Sequence, residues 1–441
     1  MVKKKKINSQ LVWEHAKKVI PGGTHLFSKR PELFLPSKWP TYYKKSKGCY
    51  IWDLNGKKYI DLSFMGVGTN TLGYANQFVD REVAKMLKTG NMTTLNSLDD
   101  IKLAKKLIKL HPWFDMARFT RSGGEANAVA IRIARASTKK SKVAICGYHG
   151  WHDWYLAANL KNKKNLEDGL MKGLQFSGVP KNLINTVFPF KYNDFEGLKM
   201  LIKKNPEIGI IKMEVSRNFG PENNFLKKVK NLSQKKNIIL IFDECTSGFR
   251  ETFGGLHKKY NIKPDICIFG KALGNGYAIN AILGKKNIMK NYDNTFISST
   301  FWTERVGPTA ALATLKLMEK LKSWKKISVT GNNIKSKWEI LATKYNLDVK
   351  INGLASLPSF EIIDKDWMYM KTYITQEFLK KGILAANTIF VCTHHNEKIL
   401  KQYFEVLEKI FKTIAKWKQE KKNIKNLIKS PVCKAGFFRL N

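Results

Sequence analysis

The side chain best placed to do covalent chemistry is a lysine that follows an apolar stretch. Residues 265–276 read Asp-Ile-Cys-Ile-Phe-Gly-Lys-Ala-Leu-Gly-Asn-Gly, so Lys271 follows a strand-like run and precedes small residues. Burial lowers the pKa of a lysine and frees its amine to form a Schiff base. The alternative is a strand-end lysine whose ammonium extends into solvent, and a chain with 68 lysines offers many such positions.

A carboxylate stands in a similar place one strand earlier. Asp243 follows the apolar run that ends at Ile241-Phe242 and precedes Glu244-Cys245-Thr246-Ser247-Gly248-Phe249-Arg250. An unpaired buried charge is costly, so this side chain needs a partner. A protonated pyridine nitrogen would be such a partner and would favour the ionised form of Asp243.

A glycine pair marks a possible anion site. Arg121-Ser122-Gly123-Gly124-Glu125-Ala126-Asn127 precedes the helical pattern of Ala128–Ala136. Two glycines at a helix start let backbone N–H groups approach an anion closely, and the helix dipole favours its charge. Ser122 adds a hydroxyl donor. The segment therefore predicts a phosphate-binding loop, although many glycine pairs only cap a helix.

A fourth segment offers an aromatic ring. Gly147-Tyr148-His149-Gly150-Trp151-His152-Asp153 directly follows a strand-like run. Tyr148 could stack on a flat aromatic cofactor or simply pack within a turn. Because His149 and His152 lack helical spacing, they are weak support for a metal site, and we expect none.

The elements around these segments indicate an α/β fold. Apolar runs that alternate with helical stretches predict a mainly parallel sheet, whose strand ends are the usual place for a ligand. The predicted strands are Lys142–Cys146, Ile208–Met213, Asn237–Phe242, Asp265–Phe269 and Ala278–Leu283.

The flanking regions have different patterns. Gly48–Ser63 alternates like a hairpin, with its turn at Asn55-Gly56. Thr309–Lys322 is typical of a long helix, and the last part of the chain predicts a small α+β region ending in a lysine-rich amphipathic helix. We expect an N-terminal segment over residues 1–62 that contributes to the small domain, a large domain over 63–322 and the C-terminal small domain over 323–441.

Composition narrows the possible classes of protein. A chain of 441 residues with 43% hydrophobic residues can bury a sizeable core in two or three domains. The net charge of +43 raises the possibility of nucleic-acid binding, but the lysines are scattered and only ten residues are arginine. We therefore expect no specific nucleic-acid partner.

Other features concern the cellular compartment. The N-terminus lacks the apolar stretch of a secretory signal, and no apolar run approaches the length of a membrane span, so we expect a cytoplasmic protein that does not enter a membrane. The six cysteines lie far apart and form no C-x-x-C pair, so we expect neither a zinc site nor a disulfide framework.

The order of these segments resembles the class III aminotransferases that depend on pyridoxal 5′-phosphate (PLP), and within them the branch of glutamate-1-semialdehyde 2,1-aminomutase. The resemblance begins at Val19-Ile-Pro-Gly-Gly23, continues through residues 48–62 and includes the four segments above. It implies a fold-type-I homodimer, with a seven-stranded sheet in the large domain and a small α+β domain built from both chain ends.

The resemblance also implies roles for single residues. Lys271 forms the Schiff base with PLP and moves the proton, while Asp243 pairs with the pyridine nitrogen. Tyr148 stacks on one face of the ring, and Cys245 occupies the opposite-face position, where valine is usual. The phosphate is held by Ser122, Gly123 and Gly124 of one subunit and by Thr300 of its neighbour.

Departures from the family pattern concentrate around the substrate. Gly124 replaces a threonine, Val215 follows Glu214 in place of proline, and Phe301-Trp-Thr-Glu-Arg-Val-Gly-Pro308 is longer than the usual link. The substrate-binding arginine of the aminomutase falls near Lys29 or Arg30, and Asn387 stands where that enzyme has a glutamate. No arginine lies between Val306 and Phe438 to grip a carboxylate. Glu214 matches a glutamate near the active site.

These observations predict a PLP-dependent aminotransferase that acts on a small-molecule amino donor and acceptor. Two alternatives stay open: intramolecular transfer by a glutamate-1-semialdehyde 2,1-aminomutase, which gives 5-aminolevulinate, and a non-catalytic binding protein on the same fold. Intact Lys271 and Asp243 argue against the second.

Overall fold

The computed structural model describes residues 6–167, 173–216 and 218–436. The chain divides into two compact units, one formed by residues 77–325 and the other by residues 1–76 together with 326–441. The expected domain boundaries after residues 62 and 322 stay a prediction. Across the described ranges, no helix is both long enough and apolar enough to cross a membrane.

The strands and helices are numbered in chain order. The strands of the described residues are β1 Tyr43–Lys47, β2 Tyr50–Asp53, β3 Lys58–Asp61, β4 Met116–Thr120, β5 Lys142–Cys146, β6 Val187–Pro189, β7 Ile208–Glu214, β8 Ile239–Glu244, β9 Ile266–Phe269, β10 Asn280–Gly284, β11 Val349–Asn352, β12 Ser359–Ile362 and β13 Ile383–Leu384. Their helices are α1 Ser9–Val19, α2 Met65–Gly68, α3 Gln77–Leu87, α4 Leu98–Leu110, α5 Gly123–Thr138, α6 Asp153–Leu156, α7 Phe195–Lys204, α8 Phe225–Lys235, α9 Lys286–Met289, α10 Val306–Leu321, α11 Ser323–Lys344, α12 Trp367–Lys380 and α13 Glu397–Gln419.

A seven-stranded sheet forms the centre of the unit made of residues 77–325. Its strand order is β4-β10-β9-β8-β7-β5-β6. Only β10 runs against its neighbours β4 and β9, while the pairs from β9 to β6 are parallel. The predicted α/β fold with a mainly parallel seven-stranded sheet is confirmed.

The middle strands are apolar because both of their faces are covered. Every residue of β7, β8 and β9 is buried, as is usual for parallel sheets with helices on both sides. Helix α5 packs on one face, and its alanines Ala126, Ala130 and Ala134 are fully buried beside Ile241 and Ile268 of the sheet. Small side chains let this helix lie close to the strands whose ends carry the polar residues.

The other unit combines two small sheets with helices. The four-stranded sheet has the order β1-β2-β3-β13, and β11 pairs with β12. The expected hairpin is present as the antiparallel pair β2–β3, and Gly56 in its turn has a φ of 83°, a value that favours glycine. The core of this unit contains Trp338 of α11, Phe360 of β12 and Tyr403 of α13.

Candidate active site

The ends of four neighbouring strands gather the side chains singled out by the sequence. Tyr148 and His149 follow β5, Glu214 ends β7, Asp243 lies at the end of β8, and Lys271 follows β9. Glu214 and Asp243 are directly opposite in the β7–β8 register. Because parallel strands end at one edge of a sheet, these residues share the edge where α/β folds place ligands.

Asp243 is an enclosed carboxylate with two protein donors. Its side chain accepts a hydrogen bond from His149 Nδ1 at 2.8 Å and one from the backbone N–H of Cys245 at 3.1 Å. Burial by itself would raise the pKa of Asp243, but the charge of Lys212 and the His149 hydrogen bond hold the pKa below its usual value. The carboxylate is therefore ionised and able to face a cation.

His149 is fixed by its surroundings. It is fully buried, and its ring stacks on that of Trp154 at 6.4 Å between centroids. Burial lowers the pKa of His149, so the ring is neutral at neutral pH. With Nδ1 donating to Asp243, the ring holds this carboxylate in one orientation without adding a full charge.

Lys271 has a backbone conformation that few non-glycine residues adopt. Its φ is 43°, directly after Gly270, and its Nζ donates to the hydroxyl of Thr246 at 2.7 Å. A β-carbon at Gly270 would lie 2.0 Å from Asn280 Oδ1, so the Asn280 side chain would have to move for any other residue. Backbone strain of this kind concentrates at functional sites.

The predicted phosphate loop forms the start of α5. Ser122 caps the helix: its Oγ accepts the backbone N–H of Glu125, while the Glu125 carboxylate accepts the backbone N–H of Ser122 at 2.8 Å. The Ser122 hydroxyl keeps its own proton available as a donor. Gly123 and Gly124 follow in the first turn, where backbone N–H groups have no partner within the helix.

Cys245 connects these segments in space. A β-carbon added to Gly123 would lie 3.6 Å from the sulfur of Cys245, and one added to Gly270 would lie 3.4 Å from it. The start of α5, the turn after β8 and the lysine turn after β9 therefore meet around one thiol. Burial raises the pKa of Cys245, so the thiol is neutral and serves as an apolar contact.

Glu214 links the aromatic segment to a cavity. Its carboxylate accepts the backbone N–H of Tyr148 at 3.2 Å. A side chain at Gly147 would come within 2.6 Å of the same carboxylate, which explains the glycine at this position. Glu214, Gly147 and Tyr192 line a cavity of about 590 Å³ beside the strand ends, a volume suited to a small molecule.

Thr300 lies on an exposed turn that is attached to the phosphate loop. It begins the short 3-10 helix Thr300–Thr303. Arg121, one residue before Ser122, donates from Nε to the Glu304 carboxylate at 2.8 Å and from Nη2 to the carbonyl of Trp302 at 3.0 Å. This guanidinium fixes the turn relative to α5, a role that sequence reasoning missed.

The site has the groups that PLP requires. Its phosphate needs backbone and hydroxyl donors, which the start of α5 presents. Its ring nitrogen needs an ionised carboxylate, and Asp243 is held in that form by the charge of Lys212 and the His149 hydrogen bond. Its carbonyl needs an amine, and Lys271 is the lysine at the same sheet edge. The residues present fit this cofactor.

The other predicted substrate residues belong to the unit formed by residues 1–76 and 326–441. Lys29 is exposed, whereas Arg30 is buried with its guanidinium 4.0 Å from the ring centre of Phe27. Asn387 donates from its amide to the carbonyl of Phe360 at 3.0 Å, beside β12. Arg30 and Asn387 therefore make contacts within their own unit.

The sequence analysis did not predict two further contacts, one of His149 and one of Glu244. His149 was considered there only as a weak metal ligand, although its position directly after Tyr148 at a strand end was a usable signal. Glu244 accepts the backbone N–H of His257 at 3.0 Å and the hydroxyl of Ser247 at 2.9 Å, and it contacts the His257 ring. Glu244, His257 and Cys267 lie close enough to hold a metal ion, but these bonds assign Glu244 to shaping the loop after β8.

Comparison with known proteins agrees with this geometry. The family model for aminotransferase class-III matches residues 36–396. The 3-aminobutyryl-CoA aminotransferase of Cloacimonas acidaminovorans is 31% identical over 403 residues, which cover 89% of this chain and 92% of that protein. The glutamate-1-semialdehyde 2,1-aminomutase of Nitrosopumilus maritimus is 33% identical, with 92% of this chain and 99% of that enzyme covered.

A solved structure shows the same fold. The FumI protein of Sphingopyxis sp. MTA144, determined in its PLP internal aldimine form, superposes with a TM-score of 0.83 at 21% identity and covers 96% of this chain and 100% of its own. With a family model that spans most of the chain and relatives above 30% identity over nearly its whole length, the chain belongs to the class-III aminotransferase family.

Proposed function

We propose that this class-III aminotransferase binds PLP at the sheet edge described above and transfers an amino group with Lys271 as its catalytic lysine. The observation that carries the proposal is the His149–Asp243 pair, which is buried at the same strand ends that hold Lys271 and the start of α5. PLP, when bound, supplies an electron sink for negative charge at the substrate carbon.

The residues of the chain divide the remaining work. Asp243 would hold a proton on the ring nitrogen, because its carboxylate stays ionised despite its burial. The amine of Lys271 would take a proton from the substrate carbon and return it at the end of the transfer. Tyr148 and Cys245 would contact the ring, and Ser122, Gly123 and Gly124 would hold the phosphate.

Thr300 extends this proposal to a homodimer. It lies on an exposed turn, and we assign its hydroxyl to the phosphate of the neighbouring subunit. The cytoplasmic location expected from the sequence stays a prediction.

The substrate is a small molecule with an amino group or a carbonyl group. Glu214 borders the cavity at the strand ends, and Lys29, Arg30 and Asn387 are the further candidates for substrate contact. A bidentate arginine is the usual contact for a substrate carboxylate, but Arg30 packs against Phe27 and the Asn387 amide is bonded to Phe360. We therefore favour exchange between two substrates over the intramolecular reaction.

The aminomutase is the second candidate, because several relatives that carry this name match more than 90% of the chain at about 30% identity. Its reaction converts glutamate-1-semialdehyde to 5-aminolevulinate without an added amino donor. Efficient turnover in that assay, with kcat/KM above roughly 10⁴ M⁻¹s⁻¹, would establish the aminomutase and reject our preference.

The deciding experiment is a screen of amino donors against the PLP-loaded enzyme, read by the visible absorbance of the cofactor. Donors that are substrates convert the aldehyde form to the amine form, so the absorbance near the Schiff-base band falls. The Lys271→Ala variant is the control: it should bind PLP without covalent attachment and show no turnover. Turnover like that of the wild type in this variant would reject Lys271 as the catalytic residue.

A further inference from the structure

A fully buried lysine lies behind the carboxylate of the site. Lys212 is the fifth residue of β7 and is 0% exposed. Its register partners are Ile145 on β5 and Ile241 on β8, both apolar. Within the described ranges, its Nζ has no hydrogen-bond partner. A buried ammonium in this setting costs stability, so its presence calls for an explanation.

The strand geometry points Lys212 towards Asp243. Alternate residues of a strand share a face, so Lys212 and Glu214 lie on the same face of β7. Glu214 is opposite Asp243 in the register, which puts Asp243 on that face of the next strand. Asp243 is therefore the diagonal neighbour of Lys212 on this face, and the two side chains interact through their charges.

The titratable groups around Lys212 lie on three strands and one turn. Burial lowers the pKa of Lys212, while Asp243, Cys245, Cys267 and Glu214 act in the opposite direction. Both cysteine thiols are neutral because burial raises their pKa. His149 also faces the cluster and is uncharged, since its pKa is lowered by burial and by Lys212.

Two carboxylates are left, and they differ in their surroundings. Glu214 borders the cavity and bonds the Tyr148 N–H. Asp243 is enclosed, and Lys212 is the main cation that keeps it ionised. In the cofactor-free chain, Lys212 therefore serves as the counter-charge of Asp243.

PLP brings a second cation to the same carboxylate. A protonated ring nitrogen beside Asp243 and an ammonium on Lys212 repel each other in a medium of low dielectric constant. Burial already lowers the pKa of Lys212, so Lys212 is the group that loses its proton. In this step the Lys212 ammonium becomes a neutral amine, and one proton is released to solvent.

We propose that Lys212 is a positioning residue that balances the charge of Asp243 in the cofactor-free enzyme and releases its proton when the protonated ring nitrogen of the cofactor takes its place. This inference rests on the proposed function, because it requires the ring nitrogen to face Asp243. Cofactor binding is then linked to pH through one buried lysine.

The test uses pyridoxamine 5′-phosphate, which carries an amine in place of the aldehyde and so cannot react with Lys271. Calorimetric titration in two buffers with different heats of ionisation gives the number of protons released on binding at pH 8. We expect the wild-type chain to release about one proton more than Lys212→Met. Equivalently, the affinity of the wild-type chain for pyridoxamine 5′-phosphate should rise about tenfold more per pH unit than that of Lys212→Met.

Two further variants complete the experiment. Lys230→Met removes a half-buried lysine that pairs with Asp265 at 3.2 Å, away from the strand ends, and its proton count should equal that of the wild type. Lys212→Gln should behave as Lys212→Met. Removing Lys212 alone leaves the Asp243 carboxylate without its buried counter-charge and costs stability, so the fold of both Lys212 variants is checked by thermal unfolding before the titration.

Equal proton release by the wild type and both Lys212 variants would overturn the inference alone. A failure of both variants to fold would also count against it, because the charge would then serve the fold. Absence of pyridoxamine 5′-phosphate binding by the wild-type chain would overturn the proposed function and this inference with it.

Discussion

At the scale of single residues, the cost of burying Asp243 explains its neighbours. An isolated carboxylate in a dry sheet would be protonated. His149, the Cys245 N–H and Lys212 counter that tendency, and the pKa of Asp243 falls below its usual value as a result.

Replacing Asp243 with asparagine tests this arrangement. The amide cannot hold a proton on the ring nitrogen, so charge at the substrate carbon is stabilised less. We expect kcat/KM of Asp243→Asn to fall by well over tenfold, which is more than ~1.4 kcal/mol in the barrier, while the protein stays folded. Steady-state kinetics and thermal unfolding of the same preparations provide the measurement.

A matched control is Asp265→Asn, which removes a carboxylate at the start of a neighbouring strand. Asp265 accepts Nζ of Lys230 at 3.2 Å and the N–H of Leu240 at 3.0 Å, just before β9 begins. This variant should lose some stability and keep its activity. A loss of activity below tenfold in Asp243→Asn would mean that another group partners the ring nitrogen.

Lys271 and Asp243 could be predicted because each directly follows or ends an apolar strand, a signal contained in a few consecutive residues. The partners of such residues could not. His149 is 94 residues from Asp243, and Arg121 is 183 residues from Glu304. A single sequence does not give the strand register that brings such pairs together. Lys212 did carry a local signal, as the one charged residue inside the apolar run Ile208–Met213.

At the scale of elements, the start of α5 shows how a local pattern and a distant contact combine. The sequence predicted the helix and its glycine pair, and Ser122 and Glu125 cap it reciprocally. It did not reveal why Gly124 replaces the threonine that the family usually has. A β-carbon at this position would lie 2.6 Å from the ring of His152, which itself stacks on Trp151.

The two glycines of this turn should therefore respond differently to alanine. Gly124→Ala forces the His152 ring to move, a kind of overpacking that costs ~1–3 kcal/mol. At Gly123 the new β-carbon would meet only ordinary contacts, the nearest at 3.6 Å. We expect the cofactor-free Gly124→Ala protein to unfold at a clearly lower temperature than Gly123→Ala, as measured by calorimetry.

A double variant identifies the cause. If the clash with His152 is the cause, Gly124→Ala should cost little stability when it is introduced into the His152→Ala protein. The double variant Gly124→Ala/His152→Ala should therefore be nearly as stable as His152→Ala alone. If the two losses simply add, the clash with His152 is not the reason for glycine at position 124.

Regular elements were more predictable than the turns between them. The five expected strands fall on β5, β7, β8, β9 and β10, since buried parallel strands are recognisable as apolar runs. The helix expected from Thr309 begins three residues earlier, at Val306. The positive φ of Lys271 and the short helix at Thr300 depend on contacts with other segments, such as those of Arg121, and have no local signature.

At the scale of the whole molecule, the surface around the phosphate loop suggests a second subunit. Phe296 is 84% exposed, Trp151 69% and Phe301 68%. Trp151 stacks on His152, which borders Gly124, Phe296 lines a cavity together with His152, and Phe301 follows Thr300 directly. Three large aromatic side chains exposed in this region are unusual for a monomer and typical of an interface.

Subunit mixing tests whether Thr300 completes the site of its partner. The chain Lys271→Ala keeps Thr300, and the chain Thr300→Asp keeps Lys271 but places a negative charge where phosphate should bind. Each homodimer should be inactive. In a mixed dimer, one site would combine Lys271 of one chain with Thr300 of the other, so activity should return to about a quarter of the wild-type value when equal amounts exchange freely.

The same experiment contains its own control, because the proposed roles predict which pairs can complement. Lys271 and Asp243 belong to the site of a single chain, so mixing Lys271→Ala with Asp243→Asn should restore nothing. If Thr300 instead served its own chain, mixing Lys271→Ala with Thr300→Asp would give one site without the lysine and one with a blocked phosphate loop. If the mixtures are inactive although differently tagged chains show that subunits exchange, a shared site is rejected. Thr300 would then belong to the active site of its own chain.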